Sequence, residues 1–160
     1  MGTRTRLVGA AGALTALGTL AFNTVGGYEG LRLVAYQDVI GVWTACRGET
    51  AGIKKGMRFT REQCDVMFID SLTKHEAGMR ACLKDPDGIP AEIYVAELSL
   101  TYNIGVGGFC KSSMPAKLNA RNYVAACNTF GSFVKAGGRV IKGLVTRRLQ
   151  EAALCRKGLR

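Results

Sequence analysis

Histidine is almost missing from this chain of 160 residues: His75 is the one copy, and no Cys-x-x-Cys pair accompanies it. A tetrahedral metal site needs clustered nitrogen and sulfur ligands, so no metal ion is expected. Zinc-finger spacing is absent, as is any basic stripe studded with aromatics, which leaves nucleic acid a poor partner. The glycine cluster Gly105, Gly107 and Gly108 lacks the lysine and the preceding strand of a phosphate loop, so a helix–turn–helix corner is expected there instead. No cofactor is implied. Charge is also absent from a long stretch, since nothing between Leu7 and Gly27 is ionisable.

What is present is basic and apolar. Lysine and arginine number 22 against 12 acidic residues, and 48% of the chain is hydrophobic. The length fits one domain with a core, expected to work as a monomer. A net charge of +10 suits encounter with a negatively charged cell envelope better than it suits nucleic acid.

The uncharged stretch has its own logic. Its 21 residues, 7–27, would span about 31 Å as a helix, close to one bilayer core. Arg4 and Arg6 precede it and no basic residue follows at once, which keeps the N-terminus in the cytoplasm. Yet Leu7, Val8, Leu14, Leu17, Leu20, Phe22 and Val25 are diluted by glycine, alanine and threonine. Leucine-type residues favour insertion by only about 0.3–0.6 kcal/mol each, so the sum is marginal. A permanent anchor is therefore disfavoured. Cleavage as a signal peptide after Thr19-Leu20-Ala21 would use a poor small-x-small site and leave only a stub before Glu29.

The chemistry concentrates between Glu29 and Thr44, EGLRLVAYQDVIGVWT. Glu29 sits where a short helical pattern ends. Asp38 and Thr44 follow in a segment of strand and turn character, within a hairpin region expected over residues 34–58. Glycoside hydrolysis needs a carboxyl to protonate the leaving oxygen and an opposed one to activate water or attack. A helix followed by a hairpin can set two carboxyls on opposite walls of a cleft in different environments. Trp43 is expected in the core rather than as a sugar platform. Thr60-Arg61-Glu62-Gln63 is a capping box that opens a long helix ending before Asp85. On that helix His75 and Glu76 read as a solvated face. Pro90 suits the first turn of a helix running through Ile93 to Ile104. Two further helices are expected over Ala120 to Phe130 and Gly143 to Cys155, with Arg147 and Arg148 as surface charges.

The spacing Glu-x8-Asp-x5-Thr, in the context EGLRLxAYxDxxGxWTxCxG, resembles the phage-type lysozymes, or endolysins. TYNIGVGGF, residues 101–109, is similar to that family's C-terminal-lobe helix and turn, and GGRVIKGLVTRRLQEAALC, residues 137–155, to its closing block. The resemblance implies an α+β lysozyme-like fold, with a small β-hairpin lobe and a larger helical lobe joined by a long helix. It implies Glu29 as general acid, Asp38 as base or electrostatic partner of the attacking water, and Thr44 as the group orienting that water. Tyr102 and Asn103 would face the glycan or pack. One of Arg147 and Arg148 would approach the neighbourhood of Glu29. The substrate would be the peptidoglycan glycan strand, cut between N-acetylmuramic acid and N-acetylglucosamine. Where the family carries Gly-His-Thr, this chain has Gly48, Glu49 and Thr50, adding negative charge near the cleft.

A subset of these endolysins uses a signal-arrest-release segment, and residues 1–27 fit that description, with residues 28–160 as the lysozyme domain. The partners would then be the export machinery and the inner membrane through residues 7–27, with later release to the periplasm of a Gram-negative host. No cysteine precedes Cys46, so caging by an anchor cysteine, used by some relatives, has no residue to work with. Six dispersed cysteines in an exported chain read as three disulfides. Of fifteen connectivities, Cys46–Cys64, Cys82–Cys110 and Cys127–Cys155 keep each bridge within one lobe or at the junction; buried free thiols in a cytosolic protein are the alternative. Two other functions remain open here: a lytic transglycosylase using a single acid, and a non-catalytic membrane-tethered peptidoglycan-binding protein.

Overall fold

A computed structural model describes residues 5–160. Among the described residues, seven α-helices and two short hairpins make an α+β fold. Helix α1 (Ala16–Glu29) leads into strands β1 (Arg32–Gln37) and β2 (Trp43–Cys46), then the long α2 (Arg61–Ala81). Helices α3 (Ala91–Ile104), α4 (Val106–Lys111), α5 (Met114–Asn119) and α6 (Tyr123–Thr129) follow. Strands β3 (Lys135–Ala136) and β4 (Arg139–Val140) precede α7 (Lys142–Lys157).

Two hydrophobic clusters define two lobes. The small one gathers Ala45, Cys46, Ile53 and Cys64, with Trp43, Phe59 and Met67 packed on it. The large one surrounds α3, whose residues Ile93 to Thr101 are all buried. Helix α2 serves both: Cys64 and Met67 near its start belong to the small lobe, while Phe68, Leu72 and Met79 belong to the large one. It is the long connecting helix, about 32 Å at 1.5 Å per residue. Its start is the capping box: Gln63 N–H donates to Thr60 Oγ1 (3.1 Å) and Thr60 N–H to Gln63 Oε1 (2.8 Å). Disulfides join Cys46–Cys64, Cys82–Cys110 and Cys127–Cys155. Closing loops of this size restricts the unfolded chain by about 3 kcal/mol each.

The N-terminal segment does not form one long helix. Val8 bridges to Leu14 and Thr15 N–H donates to the Leu7 carbonyl (2.9 Å), so residues 7–15 make a small loop. Thr15 then caps α1 through Gly18 N–H (2.9 Å). Among the described residues no helix is long and apolar enough to cross a membrane. Instead the segment packs into the large lobe: Leu7 is 1% exposed, and Ala21 and Val25 are fully buried. Gly18 is needed there, because a Cβ at this position would lie 2.0 Å from the Leu7 carbonyl oxygen.

Several sequence expectations are corrected. Glu76 is fully buried, not solvated. It accepts hydrogen bonds from Thr5 Oγ1, from Arg6 N–H (2.8 Å) and from Tyr94 OH (2.6 Å). Its helix face became buried because the N-terminal arm lies over it, a contact between residues about seventy positions apart. His75 is half-buried, packed at 4.6 Å against the Tyr102 ring with Nδ1 near the Ser71 carbonyl. Gly107 and Gly108 lie inside α4, and Gly105 alone turns the chain. The hairpin strands are shorter than residues 34–58; beyond β2 the chain loops back so that Met57 and Phe59 pair with Ala35 and Leu33.

Glu97 lies on α3 with its whole side chain buried, and neither carboxylate oxygen has a hydrogen-bond partner among the described residues. Burial, reinforced by the charge of Glu151, pushes its pKa well above the ordinary carboxylate value. The unfolded chain ionises this group above about pH 4.3 while the fold keeps it protonated, so stability is lost as pH rises. Replacing Glu97 with Leu should therefore raise stability at pH 7 by about 1–3 kcal/mol, with the gain shrinking below about pH 4. Denaturant melts at both pH values check this.

Candidate active site

Glu29 is the last residue of α1. Gly30, at φ +65°, then swings the chain into β1, a backbone region that favours glycine. The Glu29 side chain is 21% exposed, and Arg147 Nη1 donates to its Oε1 at 2.8 Å. Arg147 is itself buried, so it is no surface charge. Its Nε donates to Glu151 Oε1 (3.1 Å), and its guanidinium lies 4.6 Å from the Tyr28 ring centroid. Glu151, fully buried, also accepts from Ser99 Oγ (2.6 Å) and Arg148 Nη2 (3.0 Å), while Arg148 Nε stands 2.6 Å from its Oε2. Arg148 is 1% exposed, so both arginines expected on the surface are core residues. The spacing Arg147 to Glu151 is one helical turn of α7, which puts both groups on one face. Burial raises the Tyr28 pKa, with the Glu151 charge second.

Asp38 and Thr44 are placed by the hairpin. Tyr36 pairs with Thr44 and Gln37 with Trp43, so Asp38 opens the turn just beyond. Its Oδ1 accepts from Ile40 N–H (3.0 Å) and Val42 N–H (2.8 Å), which fixes the carboxyl with no cationic partner among the described residues. The Thr44 hydroxyl donates to the Val42 carbonyl (3.1 Å), so both side chains converge on one residue of the turn. The Cys46–Cys64 bridge ties this strand to α2.

Tyr102 and Asn103 part company. Tyr102 packs edge-on against Phe68 and lines a cavity of about 530 Å³ with Glu49, Asp70, Ser71 and His75. Burial pushes its pKa up to about 12, partly offset by a hydrogen bond with Ser71. Asn103 instead accepts from Arg148 Nη1 (3.0 Å) and borders a separate cavity of about 450 Å³ beside Phe133 and Leu144. Glu49 is half-buried, and its pKa is raised by burial first, then by the charges of Asp70 and Glu29. The residues that sequence reasoning missed are Tyr28, Ser99 and Glu151. Only the one-turn spacing of Arg147 and Glu151 signals any of them.

A long helix bridging a hairpin lobe and a helical lobe, with an acid held at their junction, defines a lysozyme-like protein. A sequence profile of the phage lysozyme family matches residues 26–151, and the chain belongs to that family. It is 34% identical over 130 residues to the SAR-endolysin of Enterobacteria phage P21, covering 81% of this chain and 78% of that one. The crystal structure of the active form of the P1 phage endolysin Lyz superposes with a TM-score of 0.80 at 26% identity, over 88% of this chain and 84% of that one. The secreted inactive form of P1 Lyz matches the fold less closely, with a TM-score of 0.59 at 21% identity over 91% and 97% of the two chains.

Arg147 is the test of the acid's placement. Under the reading of Glu29 as general acid proposed below, Arg147→Met should lower the rate of cell-wall lysis by about a hundredfold. It should also destabilise the fold by about 3–5 kcal/mol, because Glu151 loses one of its two cations. Turbidity assays and thermal melts measure the two effects separately.

Proposed function

We propose that this protein is an endolysin that hydrolyses the β-1,4 bonds between N-acetylmuramic acid and N-acetylglucosamine in peptidoglycan, opening the wall for host-cell lysis. The observation that carries the reading is the Glu29 carboxyl fixed by Arg147 at the end of α1, two residues before the hairpin that carries Asp38 and Thr44. Arg147 grips Oε1, which leaves Oε2 to carry the proton to the glycosidic oxygen. Asp38, held by the backbone N–H groups of Ile40 and Val42, is the counterpart carboxylate on the hairpin wall. It accepts a proton from the attacking water or stabilises the positive charge that develops at the anomeric carbon. Thr44 gives its own hydrogen to the Val42 carbonyl, so its oxygen lone pairs are free to accept from that water.

On purified sacculi the protein should release reducing N-acetylmuramic ends. Glu29→Gln should abolish turnover, and Asp38→Ala should lower it at least a hundredfold, with thermal melts unchanged. Anhydromuramyl ends in the product mass spectrum would instead make it a lytic transglycosylase, and full activity of Glu29→Gln would remove the acid assignment.

We further infer that residues 1–27 act first as an uncleaved export signal held in the inner membrane, and that release to the periplasm lets the segment adopt the packed form described above. The P21 relative supports this by its description as a SAR-endolysin. So does the closer likeness to the active than to the inactive form of P1 Lyz. The weak hydrophobicity of residues 7–27 is the physical reason that escape is cheap. In intact Gram-negative cells the protein should retain Met1 and sediment with membranes. Collapse of the proton gradient should move it to the soluble fraction; a cleaved N-terminus would refute the scheme.

A further inference from the structure

Helix α1 ends against its own electrostatics. Glu29 puts an acid at the negative end of the helix dipole, and the last turn contains no base. Helix α3 closes with Gly105 N–H donating to the Thr101 carbonyl (2.9 Å). Gly30 makes no such bond at the end of α1 among the described residues, although the last carbonyls of a helix need donors from somewhere. Gly30 also links α1 to β1 at φ +65°, a region that glycine enters at no steric cost. The acid and the strand leading to Asp38 therefore meet at a joint with little stiffness of its own.

Arg47 spans that joint. It follows Cys46, the last residue of β2, which the bridge to Cys64 pins to α2. Its Nη1 donates to the Gly26 carbonyl (3.1 Å), one turn before Glu29. Among the described residues this is the sole side-chain hydrogen bond from the hairpin lobe to α1. Its Nη2 stands 3.5 Å from Asp65 Oδ1 on α2, and the side chain is only 11% exposed. The guanidinium lies 5.4 Å from the Phe22 ring centroid on α1 and 5.3 Å from that of Phe68 on α2. Gly26 is matched to it, since a Cβ there would come within 3.5 Å of Arg47 Nη1 and 3.2 Å of Phe68 Cε1.

We propose that Arg47 is a positioning residue for the acid: by tying the last turn of α1 to β2 and α2, it sets the separation of the Glu29 and Asp38 carboxyls. This role rests on the reading of the protein as a glycan hydrolase with Glu29 as its acid. The guanidinium is suited to the place in three ways. Its charge offsets the negative end of α1, its flat face lies on aromatic rings, and its fork of donors reaches acceptors on two helices. The separation it sets is chemically decisive. Opposed carboxyls about 6.5–9.5 Å apart leave room for an attacking water, and about 5–5.5 Å does not. A shift of an ångström at the joint thus reaches the reaction while leaving the rest of the glycan contacts in place. Arg147 grips the Glu29 carboxyl from the large lobe, and Arg47 holds the helix beneath it from the small one.

The test uses the released full-length chain and two readouts: kinetics on sacculi well below the melting temperature, and backbone residual dipolar couplings on both sides of Gly30. Arg47→Met, which keeps the apolar stem but no donor or charge, should lower kcat about tenfold and leave KM within about twofold. The couplings should show α1 reoriented or averaged relative to β1. Arg47→Lys, with a charge and one donor but no flat face, should recover kcat to within about threefold of the unaltered protein. Unchanged kcat, a rise in KM alone, or couplings identical to those of the unaltered protein would overturn the proposal, even if the melting temperature falls. If Arg47→Met fails to fold, Arg47→Lys decides by the same two readouts: a kcat lowered about threefold with altered couplings supports the role, and unaltered values of either overturn it. The couplings need no substrate. Failure of the unaltered protein to release reducing ends would count against the glycan reading, whereas normal cleavage with an indifferent Arg47→Met would count against the clamp alone.

Discussion

A buried carboxylate clasped by two buried arginines holds the helical lobe and the acid together. Glu151 takes hydrogen bonds from Arg147, Arg148 and Ser99, and so joins two residues of α7 to the middle of α3. Taking three charges out of water costs several kcal/mol per ion, and only mutual attraction with near-complete hydrogen bonding offsets it. The surplus cation is what reaches Glu29. One carboxylate cannot neutralise two guanidinium groups, and the remaining positive charge is presented by Arg147 to Glu29. The acid's orientation thus depends on correct packing of a helix more than a hundred residues away in sequence.

The same dependence runs through the N-terminal segment. Helix α1 ends in Glu29, and it is seated by Ala21 and Val25 in the core and by the close passage of Leu7 over Gly18. Arg47 reinforces the seat from the small lobe by donating to the Gly26 carbonyl (3.1 Å) and lying over the Phe22 and Phe68 rings. Small residues allow this close fit, and they also make the segment a weak membrane span. Under the proposed release one composition therefore serves both states. Glu76 ties the arm in place: it is a buried acceptor whose donors come from Thr5, Arg6 and Tyr94.

In the small lobe the constraint is covalent. The Cys46–Cys64 bridge pins β2 to the first turn of α2, so Thr44 on one side and Glu49 on the other are set by the same link. The loop after β2 then folds back against β1, which brings Glu49 over the α2 face carrying Ser71 and His75. Glu49 stands there half-buried, and one of its oxygens has no hydrogen-bond partner among the described residues.

Local rules were enough for much of this. The capping box at Thr60 forms as spelled, because it involves groups three residues apart on one backbone turn. The placing of Asp38 and Thr44 on a hairpin was legible from turn residues, whereas the long helix between lobes, and with it the sorting of the cysteine pairs by lobe, came from the resemblance to the phage-type lysozymes. Residues whose environment comes from distant chain were not. Glu76 and Arg148 read as solvated because charged side chains usually are, and only the arm and α3 lying over them reverse that. Tyr102 and Asn103, adjacent in sequence, end in different cavities because neighbours on a helix point about 100° apart. The sequence by itself determined which residues are candidates for the proposed chemistry, since their types and spacing are properties of the chain. Tertiary structure alone decided which arginine holds the acid, what buries Glu97 and where the N-terminal segment lies, because burial and ion pairing are set by what the rest of the fold places alongside.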